Sequence, residues 1–339
     1  MPDISKINAL AIGSVSKVDG LAKASILDID GVAVPSAVGA PAAAYSVRLL
    51  GSAVGISSYT GDCMRVRRAS DNVEADIAFD AGELKLTSGV SNTSDAQSYT
   101  DFADFVDHTG TPTNAFVRYW YDQSGNAYDA GQSTAASQPK IYDSTTGFIE
   151  EGSAGNEKPA LELGRSPRKQ LTTSAISWST SFTAVTVLQP TDDGNFYIKN
   201  WSIGADATAR GYAHISMTGG SEIDWQRDDS AMFGDGYAST SDPRILTTGS
   251  AFTSGSQALS FLSLNSTAAT LHVNGSEPTY RKQTTGNTSA DSDILYINGG
   301  TTSGQGMNGT MQELILYTSD QSSSRTTIQN NVNGFYSIY

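Results

Sequence analysis

The second half of the chain alternates short apolar runs with turn signals. Asn-Gly, Gly-Gly and Ser-Gly pairs, which favour tight turns, separate the runs. The runs lie at residues 182–188, 258–264, 269–273, 294–297 and 311–317. Many short apolar runs without long helical segments between them indicate antiparallel strands. The pattern therefore predicts a mainly β protein built as an antiparallel β-sandwich.

The first 35 residues contain an eleven-residue repeat whose units start at residues 4, 15 and 26. Each unit places Asn or Asp, followed by Ala or Gly, between two short apolar arms. The repeat predicts small hairpins or a stacked β-array; a helix is the alternative, and Asp-Gly in two units argues against it. Such units cannot bury their apolar arms alone, so we expect neighbouring subunits to cover them. The predicted anchoring residues are Ile4, Ile7, Val15, Val18, Ile26 and Ile29.

Composition divides the chain further. Residues 36–44 are mostly Ala, Gly and Pro, which predicts a linker between an attachment arm at 1–35 and a sandwich domain at 45–339. Apolar residues share one helical face at 99–106 and at 322–332, so we expect a short helix at each place.

Charge and cysteine content restrict the partners that the chain can have. The formal net charge is −14, from 21 Lys plus Arg against 35 Asp plus Glu, and a field of this sign repels nucleic acid and anionic lipid. One cysteine, Cys63, cannot form an intramolecular disulfide, and three His with one Cys do not favour a zinc site. The chain contains no run of about 18 apolar residues, so no membrane span is predicted.

The N-terminus shows no export signal, although the Ser-, Thr- and Gly-rich composition is typical of extracellular β proteins. A phage structural protein combines these two features, because lysis of the host releases it. We therefore expect a virion location, a homo-oligomer, and capsid or tail proteins as partners. A bacterial protein exported by another route is the alternative.

The C-terminal strands resemble the concanavalin A-like, laminin-G-like superfamily. The matching segments are Thr-Leu-His-Val-Asn-Gly at 270–275, Leu-Tyr-Ile-Asn-Gly-Gly at 295–300, and the strand that follows Asn-Gly at 308–309. The resemblance implies a jelly-roll sandwich that presents a lectin-like surface. Host or environmental glycans are the ligands that it implies.

The middle of the chain resembles the catalytic domain of fungal-type α-L-arabinofuranosidase B. Two motifs carry the resemblance: Tyr-Thr-Gly-Asp-Cys-Met-Arg at 59–65, and Tyr-Asp-Gln-Ser-Gly at 121–125. The same motifs are common in phage tail and head fibre proteins, whose sandwich often follows repeats similar to those at 1–35. The resemblance implies a phage fibre, spike or head-decoration subunit that exposes a lectin-like sandwich.

The enzyme implied by this resemblance needs two carboxyl groups. The family's acid follows a pair of glycines, and here Thr301 takes that place and offers no acidic proton. The family's vicinal cysteine pair is also missing, and its nucleophile corresponds only loosely to the stretch 222–229. We therefore expect no enzymatic activity. An arabinofuranosidase-like glycoside hydrolase and a bacterial adhesin or lectin module remain alternatives.

Aromatic and acidic residues of the stretch 200–240 are the candidate ligand-binding groups, because sugars bind to aromatic rings flanked by hydrogen-bonding side chains. The glycan-binding candidates are Trp201, Asp224, Trp225 and Tyr237. Calcium is the alternative ligand of this stretch, held by Asp228, Asp229 and Asp235. For the aromatic candidates, packing in the core is the alternative to sugar binding. No other cofactor is expected.

A basic cluster at 65–68 has a structural interpretation. Arg65 and Arg67 alternate with an apolar residue, so they share one strand face. We expect them to pair with Asp71 or Asp76.

Overall fold

The computed structural model of the protein describes residues 37–179, 181–191, 200–203, 252–265, 269–278, 280–284, 291–299 and 306–339. It also describes short strands at 17–18, 21–22, 28–29, 32–33, 213–214 and 244–247. Over these residues the chain is mainly β, and all strand pairs are antiparallel.

The strands in chain order are β1 (Lys17–Val18), β2 (Leu21–Ala22), β3 (Asp28–Ile29), β4 (Val32–Ala33), β5 (Ala43–Ser46), β6 (Met64–Arg68), β7 (Glu74–Ile77), β8 (Val90–Ser91), β9 (Ala115–Trp120), β10 (Ala130–Gly131), β11 (Lys140–Asp143), β12 (Gly147–Phe148), β13 (Glu150–Glu151), β14 (Lys158–Pro159), β15 (Leu161–Arg165), β16 (Arg168–Lys169), β17 (Leu171–Trp178), β18 (Phe182–Pro190), β19 (Trp201–Ile203), β20 (Ala213–His214), β21 (Arg244–Thr247), β22 (Ala258–Leu264), β23 (Ala269–Val273), β24 (Tyr280–Thr284), β25 (Asp291–Ile297) and β26 (Gly309–Tyr317). The helices are α1 (Phe102–Val106) and α2 (Arg325–Tyr336).

Two sheets form the sandwich. Sheet 1 has the order β5-β26-β18-β22-β23, with β15 beside the first residues of β26. Sheet 2 has the order β8-β7-β6-β9-β10-β17-β25-β19-β20. Strands β11 and β15 pair with each other and join the two sheets along one side. The sandwich fold predicted from the sequence is therefore confirmed.

Sheet 1 is buried on both faces. Its inner face meets sheet 2, where the ring of Tyr45 lies 5.8 Å from that of Trp120. Its outer face is covered by α2, which buries Val332 and Tyr336. Coverage on both faces explains why all nine residues of β26 are buried, including Glu313. Burial of a strand on both faces also explains the nearly continuous apolar runs of the sequence.

The predicted strands and helices match the structure closely. The runs at 258–264 and 269–273 are β22 and β23, and the other three runs lie inside β18, β25 and β26. Helix α1 starts at 102 rather than 99, because Asp101 caps its N-terminus and accepts a hydrogen bond from the Asp104 N–H. Helix α2 ends at 336 rather than 332, because Tyr336 reaches sheet 1.

The predicted hairpins of the arm occur in two of its three repeats. Val18 pairs with Leu21 around Asp19-Gly20, and Ile29 pairs with Val32 around Asp30-Gly31. The first repeat, with Ile4 and Ile7, lies outside the described residues, as does Val15. Whether these residues anchor the chain stays a prediction.

The sandwich begins earlier than the sequence suggested. Ala43 and Ala44, placed in the predicted linker, belong to β5 and are fully buried. Their small side chains, which resembled a linker composition, fit a strand that is covered on both faces.

Candidate functional site

Strands β19 and β25 meet at one end of sheet 2, which we call the β19–β25 corner. It includes two features that the sequence pointed to, Trp201 and the Asn-Gly turn that follows β25. Trp201 pairs with Ile297, directly before the turn at Asn298 and Gly299. Asn298 adopts a left-handed φ of 71° and is fully buried. Its side chain donates to the Gly164 and Lys169 carbonyls and accepts from the Met307 N–H. All of its hydrogen-bonding groups therefore fix the turn.

A second contact holds the same turn. The Ser202 hydroxyl of β19 donates to the Gly299 carbonyl over 2.7 Å. The turn is thus tied to β19 as well as to the β15–β16 hairpin. Thr301 follows this turn in the sequence and lies outside the described residues.

Of the four glycan-binding candidates, the structure describes only Trp201. Its side chain is 1% exposed and packs on the ring of Phe182, with the ring centroids 5.8 Å apart. Trp201 therefore belongs to the core, which was the alternative to sugar binding for this ring. Asp224, Trp225 and Tyr237 lie outside the described residues, as do the calcium candidates Asp228, Asp229 and Asp235, so these assignments stay predictions.

The Tyr-Asp-Gln-Ser-Gly motif fastens the first strand of the sandwich. The Asp122 carboxylate accepts from the Ala44, Ser124 and Tyr128 N–H groups and from the Ser124 hydroxyl. Gln123 accepts from the Leu50 N–H and donates to two backbone carbonyls of residues 46 and 48. Both side chains are buried, so the most specific motif of the sequence acts on the backbone of its own fold.

The outer face of sheet 2 carries an aromatic stripe that the sequence analysis missed. We call it the β9 aromatic face; it consists of Phe116, Tyr119 and Tyr121, all partly exposed. A β-bulge near Arg118 shifts the register between β6 and β9, so that Phe116 pairs with Arg67 while Tyr119 pairs with Arg65.

Charged side chains surround this aromatic face. Arg65 donates to Glu74 and Asp76 over 2.9 and 2.8 Å, which confirms the predicted pairing with Asp76. Arg67 instead contacts neutral Gln138 and Asn72. The third arginine, Arg68, is the one that pairs with Asp71.

The Tyr121 hydroxyl donates to Asp76 over 2.5 Å. Burial, followed by this hydrogen bond and the negative charge of Asp76, raises the pKa of Tyr121. Burial and the neighbouring Asp76 carboxylate raise the pKa of Asp62 as well. The Tyr121 ring is therefore held in one orientation, and its phenol stays protonated.

Over the described residues, no group of three or more His, Cys, Asp or Glu side chains is arranged to hold a metal ion. In the same part of the chain, no helix is long and apolar enough to cross a membrane.

Solved structures show what this fold is similar to. A GH54 α-L-arabinofuranosidase mutant soaked with 4-nitrophenyl α-L-arabinofuranoside matches 87% of this chain with 17% identity and a TM-score of 0.50. An arabinofuranosidase complexed with arabinofuranosyl-α-1,2-xylobiose matches the same share with 16% identity and a TM-score of 0.47. Domain 4 of a GH43 extracellular arabinanase from Geobacillus stearothermophilus, in complex with arabinotriose, matches 61% of this chain and 91% of its own length, with 16% identity and a TM-score of 0.39. This chain spans 63% of the length of the two arabinofuranosidase structures.

The sequence comparisons give no family. No protein-family model matches the chain, and no curated protein matches it.

These neighbours correct one expectation. The sequence predicted no enzymatic activity, whereas the similar structure with a TM-score of 0.50 is a glycoside hydrolase, so the expectation of no activity is withdrawn. The comparisons give no support to the expected virion fibre or decoration protein. What they do show is a β-sandwich of the kind found in arabinofuranosidases.

Proposed function

We propose that this chain is an arabinofuranosidase-like glycoside hydrolase whose reaction takes place at the β19–β25 corner. One observation supports this proposal above the others: the sandwich matches a GH54 arabinofuranosidase over 87% of the chain. The corner is chosen because the resemblance implies an acid directly after the paired glycines, and the turn at Gly299 is fixed by hydrogen bonds.

The chemistry requires two carboxyl groups on either side of the glycosidic bond. The stretch 222–229 supplies Glu222, Asp224, Asp228 and Asp229. It follows β20, whose His214 pairs with Trp201 at the corner. Because Thr301 has no acidic proton, we assign both the nucleophile and the acid to carboxyl groups other than residue 301.

Hydrolysis of 4-nitrophenyl α-L-arabinofuranoside by the full chain tests this proposal. We expect 4-nitrophenol release that is at least about 100-fold slower in Glu222→Gln or Asp224→Asn, because removal of a general acid or base typically costs that much. Asp107→Asn is the control, since its side chain is exposed.

Two outcomes would reject the proposal. One is wild-type release no faster than the buffer rate. The other is release that survives in every variant with a carboxyl group of 222–229 replaced. Binding of arabinofuranosides without release would instead indicate a lectin-like module.

For the arm, we propose that its hairpins attach the chain to a larger assembly, for which a virion with capsid or tail partners is the candidate. The two paired hairpins at 17–22 and 28–33 support this proposal, since each is too small to bury its own apolar arms. Deletion of residues 1–35 should leave a folded sandwich that no longer joins its assembly. A truncated chain that fails to fold would show that the arm is part of the core.

A further inference from the structure

We propose that the β9 aromatic face binds an extended, uncharged oligosaccharide and guides it towards the β19–β25 corner. This inference deepens the proposed function and rests on it for the sugar class. The surface lies on the outside of sheet 2, away from the interior that contains Trp201 and Trp120.

The rings offer a surface of the kind that sugars bind. Tyr119 and Tyr121 are parallel within 6°, with centroids 6.4 Å apart, and both are partly exposed. Tyrosine combines an apolar ring with a polar tip, and it loses little conformational entropy when it binds a ligand. Two parallel rings along one strand can therefore contact consecutive sugar units.

Neighbouring side chains hold these rings in place before any ligand arrives. The Tyr119 ring fills the space above Gly131, where a Cβ atom would lie 2.5 Å from the ring. The Arg118 guanidinium stacks on the same ring at 4.4 Å. Asp76 fixes the Tyr121 hydroxyl. A preorganised surface loses less entropy on binding, which favours a ligand-binding role.

Charge pairing decides the class of glycan. Arg65 is paired with Glu74 and Asp76, and Arg118 lies 3.6 Å from Glu74. Lys140, further along the face, is paired with two carboxylates. The cations beside the two tyrosines are thus compensated locally, whereas Arg67 and Lys169, which lie over the Phe116 ring, donate to neutral oxygens. The whole chain carries a charge of −14. A polyanionic glycan would be repelled, whereas hydroxyl-rich uncharged sugars can use the paired groups as donors and acceptors.

One row of strand pairing connects the rings to the corner. Tyr119 pairs with Gly131, Gly131 with Thr172, Thr172 with Tyr296, and Tyr296 with Ser202. Directly paired residues lie on the same face of a sheet. The row covers four strand spacings, or roughly 19 Å. It ends at Ser202, whose hydroxyl contacts the Gly299 turn.

Binding to two soluble polymers tests the inference: arabinoxylan as the uncharged probe and polygalacturonate as the anionic probe. We expect wild-type binding to arabinoxylan only. Tyr119→Ala and Tyr121→Ala should each weaken that binding by about tenfold or more, as loss of a central tyrosine anchor does at other interfaces. Tyr119→Phe should bind within about twofold of wild type, because it keeps the ring. Tyr339→Ala is the matched control, since Tyr339 is an exposed tyrosine near Gly275, on sheet 1.

Circular dichroism of each variant verifies the fold. If an alanine variant is unfolded, tyrosine-ring NMR signals of the wild type replace it as the readout, and those of Tyr119 and Tyr121 should shift when arabinoxylan fragments are added. Unchanged arabinoxylan binding in both alanine variants would overturn the inference. An equal loss in Tyr339→Ala, preferential binding of polygalacturonate, or no polymer binding at all would do the same.

The hydrolysis assay separates the two proposals. Tyrosine-dependent arabinoxylan binding by a chain that releases no 4-nitrophenol would reject the hydrolase and keep this binding surface. Release of 4-nitrophenol by a chain whose polymer binding is independent of both tyrosines would reject the surface and keep the hydrolase.

Discussion

Replacement of Asp122 by alanine tests whether the Tyr-Asp-Gln-Ser-Gly motif serves the fold or the chemistry. The carboxylate is 4% exposed and accepts from the N–H groups of Ala44, Ser124 and Tyr128 at 2.8, 2.9 and 3.0 Å. Ala44 is fully buried, whereas Ser124 and Tyr128 are partly exposed, so water can replace some of the hydrogen bonds that their N–H groups lose. At roughly 1 to 3 kcal/mol for each buried donor without a partner, we expect a loss of about 3 to 5 kcal/mol in the free energy of unfolding.

Urea unfolding followed by tryptophan fluorescence measures this loss. Asp107→Ala, at an exposed aspartate, should change the free energy by no more than about 0.5 kcal/mol. Under conditions where Asp122→Ala is still folded, its rate of arabinofuranoside hydrolysis should stay within a few-fold of wild type. A variant as stable as wild type that has lost hydrolysis would refute the structural role of the motif.

Three further predictions concern stability. Glu313→Ala leaves the guanidinium of Arg48 buried without its bidentate partner, so calorimetry should show a loss of about 3 to 5 kcal/mol in the free energy of unfolding. The double variant Arg48→Met, Glu313→Leu should recover most of that stability, and equal losses in the single and double variants would contradict this prediction. Burial and a neighbouring carboxylate raise the pKa of Asp62 above 3.8, so the free energy of unfolding falls as pH rises above that value and the carboxyl group ionises. In chemical denaturation from pH 3 to 7, Asp62→Asn should lose this contribution to the pH dependence. A variant with the same pH profile as wild type would argue against the prediction. Gly309 has a φ of 139°, and a Cβ atom there would lie 2.1 Å from the Gln189 carbonyl oxygen. In thermal unfolding, Gly309→Ala should therefore lower the free energy of unfolding by about 3 kcal/mol or more, and a variant that melts like wild type would disprove the close approach.

Local patterns were enough to predict the strands and turns of the sandwich. The runs that became β22 and β23 were predicted to the residue, and Gln257, Asn265 and Asn274 bound three of their four ends. The Asp-Gly pairs of the arm likewise indicated its hairpins, since a two-residue turn needs only those two positions.

Long-range contacts could not be predicted in the same way. Glu313 of β26 is fully buried, and its charge partner is Arg48, more than 260 positions earlier in the chain. Asp122 resembled a motif of an enzyme, and its role became visible only when β5 was placed beside it. Nothing in a local pattern identifies partners at such separations.

The candidate site was predicted less well than the fold. Trp201 was predicted to be a sugar platform, but the pairing of β19 with β25 places its ring in the core. Arg65 was given only a structural role, and the parallel rings of Tyr119 and Tyr121 beside it were overlooked, although their spacing of two already places them on one face of a strand. Only Phe116 could not be added from the pattern, because the bulge near Arg118 places it on the face of Tyr119, three residues away.

One measurement tests the central claim most directly: proton NMR of the full chain with 4-nitrophenyl α-L-arabinofuranoside, following the anomeric signals over time. The account predicts that the substrate signal decays and that the signals of free arabinose appear in its place. A substrate signal that stays constant, at a protein concentration that saturates binding, would contradict the claim that this sandwich is a glycoside hydrolase.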